Sequence, residues 1–173
     1  VIDVIGSALK MLRDVRDRGD ARLVATALRE LRYSFRLFDP YAQHRKVSIF
    51  GSARTHPSRE EYRLAVELGR ALAQAGYMVI TGAGPGIMHA GHEGAGSENS
   101  FGLNIRLPWE QGANPVILGD EKLITFRYFF TRKLMFLSQA EAVACFPGGF
   151  GTMDEAYETL TLVQTGTASM IPI

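Results

Sequence analysis

The chain has 173 residues, 46% of them hydrophobic and 21% charged, with a formal net charge of +1 and a mean hydropathy near zero. Those values fit one soluble globular domain with a real core and exclude a disordered, fibrous or collagen-like chain. Charge is uneven: residues 1–46 carry ten Lys/Arg against six Asp/Glu, and the remainder nine against twelve. Alternating signs such as Arg13-Asp14-Val15-Arg16-Asp17-Arg18 suit a solvated helix face better than a nucleic-acid surface, and no nucleic-acid module is visible. A single cysteine excludes an internal disulfide, and Cys145 lies in an apolar run where it reads as a buried small hydrophobe. With no signal peptide and no apolar span of about 18 residues, the expectation is a cytoplasmic protein that meets no membrane.

From Val1 to about Phe38 the pattern is helical, with Leu23, Ala27, Leu31 and Phe35 recurring every four residues and Asp20 after Gly19 as N-cap. Asp39-Pro40 ends it, which divides the chain into an N-terminal helical extension (1–45) and the domain proper (46–173). Val47-Ser48-Ile49-Phe50 reads as the first strand, stopped by the ligand-facing loop Gly51-Ser52-Ala53-Arg54. Ser58 and Glu61 form a capping-box pair for a helix running to about Ala75, with Leu64, Leu68, Leu72 and Ala75 on one face. Tyr77–Thr81 is the next strand, and Gly82-Ala83-Gly84-Pro85-Gly86 is a glycine loop before a helix that begins near Ile87.

Phe101–Ile105 is a third strand candidate, followed by an irregular polar loop over Pro108–Pro115. Leu123–Phe126 is a fourth, and a helix from about Arg127 to Gln139 carries Phe130, Leu134 and Leu137 inward. Ala142–Phe146 is the fifth strand. It runs into Pro147-Gly148-Gly149-Phe150-Gly151-Thr152-Met153-Asp154-Glu155, a glycine loop at a strand-to-helix switch with two acids in the first helical turn. Met170–Ile173 looks like the start of another strand, so the sequence reads as clipped at its C-terminal end. Strands alternating with helices predict an α/β fold, a Rossmann-like doubly wound parallel sheet with helices on both faces, its ligands beyond the carboxyl ends of the strands.

Free N–H groups at a glycine-rich helix start bind an anion such as phosphate, and a neighbouring carboxylate suits cleavage of a phosphorylated substrate. The residues Arg132-Lys133-Leu134-Met135, then Pro147-Gly148-Gly149-Phe150-Gly151-Thr152 and Glu155, resemble the RK and PGGxGTxxE motifs of the LOG (lonely guy) proteins, cytokinin riboside 5′-monophosphate phosphoribohydrolases. Gly51–Arg54, Thr81–Met88 and Gly102–Pro108 extend the resemblance in order, from about Val47 to the C-terminus. It implies a hydrolase that cleaves the N-glycosidic bond of a nucleoside 5′-monophosphate, with no metal or redox cofactor, and a homo-oligomer, a dimer or larger, with its site near the subunit interface.

Arg132 and Glu155 are the catalytic residues that the resemblance implies. Positive charge develops on the sugar as the glycosidic bond breaks, and a carboxylate beneath the ring gains attraction from it. Whether Glu155 acts as stabiliser, nucleophile or base stays open. Arg132 suits substrate orientation and charge stabilisation, since a guanidinium gives up its proton with difficulty. Gly51, Ser52, Gly82, Gly84, Gly86, Lys133, Gly148, Gly149, Gly151 and Thr152 are the candidate substrate- and phosphate-binding residues. Asp154 reads as a dipole-complementing acid.

The LOG motif is departed from at Ala83, where a glycine is common, and at His89, where a Glu is usual. His89 and His92 share a helix face, but no third metal ligand is evident. Family members were often labelled lysine decarboxylases, and none of Lys46, Lys122 and Lys133 has a neighbourhood suited to a Schiff-base lysine. Competing readings are a hydrolase of ordinary purine or pyrimidine monophosphates, a non-catalytic nucleotide or molybdenum-cofactor carrier, and an interaction module built on the basic N-terminal helices.

Overall fold

The structure is a computed structural model that describes residues 1–108, 112–167 and 169–173. Strands β1 (Lys46–Phe50), β2 (Met78–Thr81), β3 (Ser100–Ile105), β4 (Leu123–Phe126) and β5 (Ala142–Cys145) form one all-parallel sheet in the order β4-β3-β2-β1-β5. The helices are α1 (Ile2–Asp14), α2 (Arg18–Phe38), α3 (Glu60–Gln74), α4 (Ile87–Ala95), α5 (Phe129–Gln139) and α6 (Phe150–Gln164). None of them is long and apolar enough to cross a membrane.

Parallel strands need both faces covered, so the apolar residues divide between two cores. On one face Phe50, Met78, Ile80, Phe101, Leu103 and Phe126 pack with Phe38 of α2 and Met135 and Phe136 of α5. On the other, Ile49 and Val79 meet Tyr62 and Ala65 of α3 and Ile87 and Ala90 of α4. This is the expected doubly wound α/β arrangement. Its order reverses at β1, with β2, β3 and β4 on one side and β5 on the other, so the loops leaving β1 and β5 diverge and open a crevice.

Several local expectations are corrected. The N-terminal helical pattern is two helices, and Asp17, not Asp20, caps the second: its carboxylate accepts from the N–H groups of Gly19 (3.0 Å) and Asp20 (3.2 Å). No capping box starts α3; Arg59 is its cap without a side-chain bond, because Ser58 is engaged by the His56 ring (2.9 Å). That helix buries Tyr62, Ala65 and Gly69, with Leu68 and Leu72 beside them, whereas Leu64 is half-exposed. In α5 the buried residues are Thr131, Met135 and Phe136, while Phe130 and Leu134 face outward. A short helix apolar on more than one side has no periodicity that singles out its buried face.

Cys145 is exposed rather than buried, because β5 is an edge strand. Asp154 and Glu155 fall in the second turn of α6, which begins at Phe150. Of the loop expected over 108–115, residues 109–111 lie outside the described residues, and the rest carries neither helix nor strand. Met170–Ile173 forms no assigned strand, although Pro172 O accepts the Val143 N–H (2.9 Å) along the β5 edge.

Candidate active site

Ser52, just beyond β1, ties the loops of three strands together. Its N–H donates to Pro147 O (3.2 Å), its carbonyl accepts from Ile87 N (3.0 Å), and its hydroxyl accepts from Arg54 N (3.1 Å). Gly86 has φ of 66°, and a Cβ there would run into Ser52 O. Ala83 takes a left-handed φ of 63°, the one non-glycine residue to do so among those described, at a cost of about 1 kcal/mol or more. What holds it is a buried polar cluster. Ala83 N donates to Thr81 Oγ1 (3.0 Å), and Ala83 O accepts from Asn114 N (2.7 Å) and Nδ2 (3.1 Å).

The same cluster accounts for His92. Its ring is fully buried against Thr81 Oγ1 (3.0 Å), Phe101 O (3.1 Å) and Asn114 Nδ2 (3.2 Å), and burial pushes its pKa down to about 4. His89 instead meets the Tyr62 hydroxyl (3.2 Å). Among the described residues no group of His, Cys, Asp and Glu is arranged to hold a metal ion.

The turn from β5 into α6 is shaped for a ligand. A Cβ on Gly148 would collide with Thr152 Oγ1, so the chain passes there only as glycine, whereas Gly149 and Gly151 border open space. Gly149 O takes the N–H groups of Thr152 (3.0 Å) and Met153 (3.1 Å), and no side chain caps the helix. An uncapped helix start reached over bare glycines attracts an anion.

Arg132 is brought to the same place by α5. Its Nε donates to Leu103 O (2.7 Å), its guanidinium lies 5.1 Å from the Phe136 ring centroid, and a Cβ on Gly82 would strike its Nη2. Burial lowers its pKa, and the charge of Glu155 works against that shift. Glu155 is 8% exposed, and its Oε2 has no hydrogen-bond partner among the described residues. Burial raises its carboxyl above the ordinary carboxylate range, with Arg132 and then Lys133 pulling it back. Glu61 and Glu158 also carry an Oε2 without a hydrogen-bond partner among those residues, but Glu158 pairs with Lys133 (2.8 Å) and Glu61 lies away from the cleft, so Glu155 is the carboxylate of the three whose free oxygen sits in the cleft.

Arg132, Glu155, Gly51, Ser52, Gly82, Gly149, Gly151 and Thr152 line one cleft of about 480 Å³ at the β1/β5 crevice. Phe50, Ala53, Arg54, Met88, Phe129, Phe150 and Asp154 complete it; Ala53 and Arg54 belong to the loop read as ligand-facing, Phe150 and Asp154 to the glycine-loop run Pro147–Glu155, and Met88 to the Thr81–Met88 stretch of the resemblance, which leaves Phe50 and Phe129 without a binding reading from sequence. Of the aromatic walls, Phe150 sits inside the PGGxGT motif, whereas Phe50 at the end of β1 and Phe129 at the start of α5 belong to no motif, and only the fold brings the three to one cleft. Gly84 and Gly86 do not line the cleft, and Gly148 borders a neighbouring depression with His56 and Arg59. Lys133 is outside the cleft: its ammonium pairs with Asp154 (2.7 Å) and Glu158 (2.8 Å), bonds that raise its pKa although burial opposes them. The dipole role expected of Asp154 is therefore replaced by a grip between α5 and α6.

A doubly wound α/β protein with a glycine-lined, uncapped helix start beside an arginine and a buried glutamate is the class that fold and cleft define. A family model described as possible lysine decarboxylase matches residues 83–173, and the chain belongs to that family, the one that holds the LOG proteins. It is 29% identical over 131 residues to the cytokinin riboside 5′-monophosphate phosphoribohydrolase LOG of Oryza sativa subsp. japonica, a match over 72% of this chain and 52% of the rice protein. The chain thus spans about half the length of that relative. Among solved structures, the molybdenum cofactor carrier protein of Chlamydomonas reinhardtii superposes with a TM-score of 0.54 at 21% identity, covering 68% of this chain and 71% of the carrier. DNA processing protein A of Helicobacter pylori does so with a TM-score of 0.53 at 17% identity over 74% of this chain and 64% of its own. At those identities the likeness is one of fold.

Proposed function

We propose that this chain hydrolyses the N-glycosidic bond of a nucleoside 5′-monophosphate, a cytokinin riboside monophosphate or an AMP-like nucleotide, to free base and ribose 5-phosphate. The observation that carries this reading is Glu155, a buried carboxylate with an unpartnered oxygen, in one cleft with Arg132 and the uncapped start of α6. The 5′-phosphate sits on the N–H groups around Gly149 and Gly151 with the Thr152 hydroxyl. The ribose lies over Glu155. As the C1′–N bond breaks, its electron pair leaves with the base, which takes up a proton; the carboxylate stabilises the cationic sugar, and the oxygen of water bonds C1′ and releases a proton. Arg132, fixed from two sides, orients the nucleotide.

Decarboxylation finds no support in the lysines. Lys46 donates to Tyr41 O and His44 O (both 2.7 Å), Lys122 pairs with Asp120 (2.7 Å), and Lys133 is held by Asp154 and Glu158. Half-exposed Phe129 and fully exposed Phe150 at the cleft suit a homo-oligomer whose interface borders the site. The deciding experiment incubates the protein with a panel of nucleoside 5′-monophosphates and measures free base. Release from one or more of them supports the hydrolase. Tight nucleotide binding without release from any supports the carrier reading that the fold likeness to molybdenum cofactor carriers suggests.

A further inference from the structure

The helix that presents Arg132 has a weakness at its start. Tyr128 is the N-cap of α5 and supplies no side-chain acceptor for the free N–H groups there. A carboxylate from 97 residues earlier braces that start: Glu30 of α2 takes the N–H of Arg127, one residue ahead of the cap, on Oε1 (2.7 Å) and the Thr131 hydroxyl, which also lies 2.9 Å from Tyr128 O, on Oε2 (2.6 Å). Both are charge-assisted bonds, and the carboxylate lies at the positive end of the helix dipole. Thr131 is fully buried and immediately precedes Arg132. On the other side α2 is anchored, because its Phe38 stacks on Phe101 at 4.2 Å between ring centroids.

We propose that Glu30 is a positioning residue for Arg132: the N-terminal helical segment supplies, from within the same chain, a brace across the uncapped start of α5, and so fixes the helix turn from which the guanidinium reaches the cleft. The proposal rests on the hydrolase reading for its kinetic consequence, but its structural consequence is independent of any activity. A carboxylate with one oxygen on the backbone ahead of the helix and the other on its first turn fixes both the rotation and the height of that turn. Removing it lets Arg132 drift, and misplacement by about 1 Å is enough to cost a large factor in rate.

The test compares Glu30→Ala, Glu30→Gln and Thr131→Val, each alone and in an Arg132→Ala background, well below their melting temperatures. Glu30→Ala lowers kcat for the nucleotide by about tenfold with KM changed less than about twofold, and Glu30→Gln, which keeps one acceptor oxygen, falls between. In the Arg132→Ala background the same substitution changes the residual rate by less than about twofold, because the group it positions is gone. Amide hydrogen exchange over residues 127–134 speeds up in Glu30→Ala while the rest of the protein keeps its protection. Equal losses in both backgrounds, faster exchange throughout the molecule, or unchanged exchange at the start of α5 would each overturn the proposal. Should Glu30→Ala fail to fold, Thr131→Val, which removes one of the two bonds, carries the same comparison. A wild-type protein that releases no base defeats the hydrolase reading alone, and the exchange experiment then decides on Glu30.

Discussion

Glu155 is where the chemistry and the cost of the site meet. Glu155→Gln is expected to keep the fold and nucleotide binding while slowing base release by about two to four orders of magnitude, since it removes the charge that faces the cationic sugar. Asp154→Asn does much less, because that acid is turned to Lys133. The same substitution reports on stability. Burial raises the folded-state pKa of Glu155 above its unfolded value, so below the ordinary carboxylate range both states hold the proton and the residue costs nothing. As pH rises through that range the ionised form is penalised in the folded protein alone. Glu155→Gln therefore melts higher than the wild type at pH 7, and the two melting curves converge below about pH 4. A variant that melts lower at neutral pH would mean that the carboxylate is well solvated or paired, and not an orphan awaiting substrate.

Among the elements, the turn into α6 is the one to which the proposed function assigns phosphate binding. Gly148→Ala places a methyl group on Thr152 Oγ1 and 3.0 Å from Ser52 N, so the turn must shift. We expect KM for the 5′-monophosphate to rise about tenfold or more, roughly the worth of one charge-assisted hydrogen bond, in steady-state assays. An unchanged KM would remove this loop from phosphate binding. The loop was legible in the sequence because its signal is local: an apolar run, then glycines, then a helical pattern. The type and place of all five strands were legible for the same reason, β4 to the residue and the others within one or two. The inward face of α5, the cap of α2 and the exposure of Cys145 were not. Each depends on which element packs alongside, and a helix as apolar as α5 or an edge strand as apolar as β5 carries no mark of its neighbours. Glu30 left no sequence signal at all, since its partners lie 97 and 101 residues away.

For the molecule as a whole, the β4-β3-β2-β1-β5 order matters most, because it converts three separate glycine loops into one crevice. The sequence shows the loops but not the strand order, so in sequence Arg132 and Glu155 are paired only through the resemblance to the LOG motifs, and the fold brings both to one cleft. Acid stability tests the scaffold behind that cleft. His92 titrates at about 4 when folded, against about 6.5 when unfolded, so the unfolded state takes up the proton first as pH falls. The contribution of His92 to stability is fully present above about pH 6.5 and falls by about 3 kcal/mol toward pH 4, opposite in sign to that of Glu155. Denaturant melts should show His92→Gln to be less stable at pH 7 with a flatter loss on acidification; the wild-type slope in that variant would place the acid sensitivity elsewhere. If the start of α6 grips a 5′-phosphate so that Glu155 acts on the glycosidic bond, kcat/KM for AMP, measured as free adenine, exceeds that for adenosine by about two orders of magnitude or more; equal turnover of the two would take the phosphate off the start of α6.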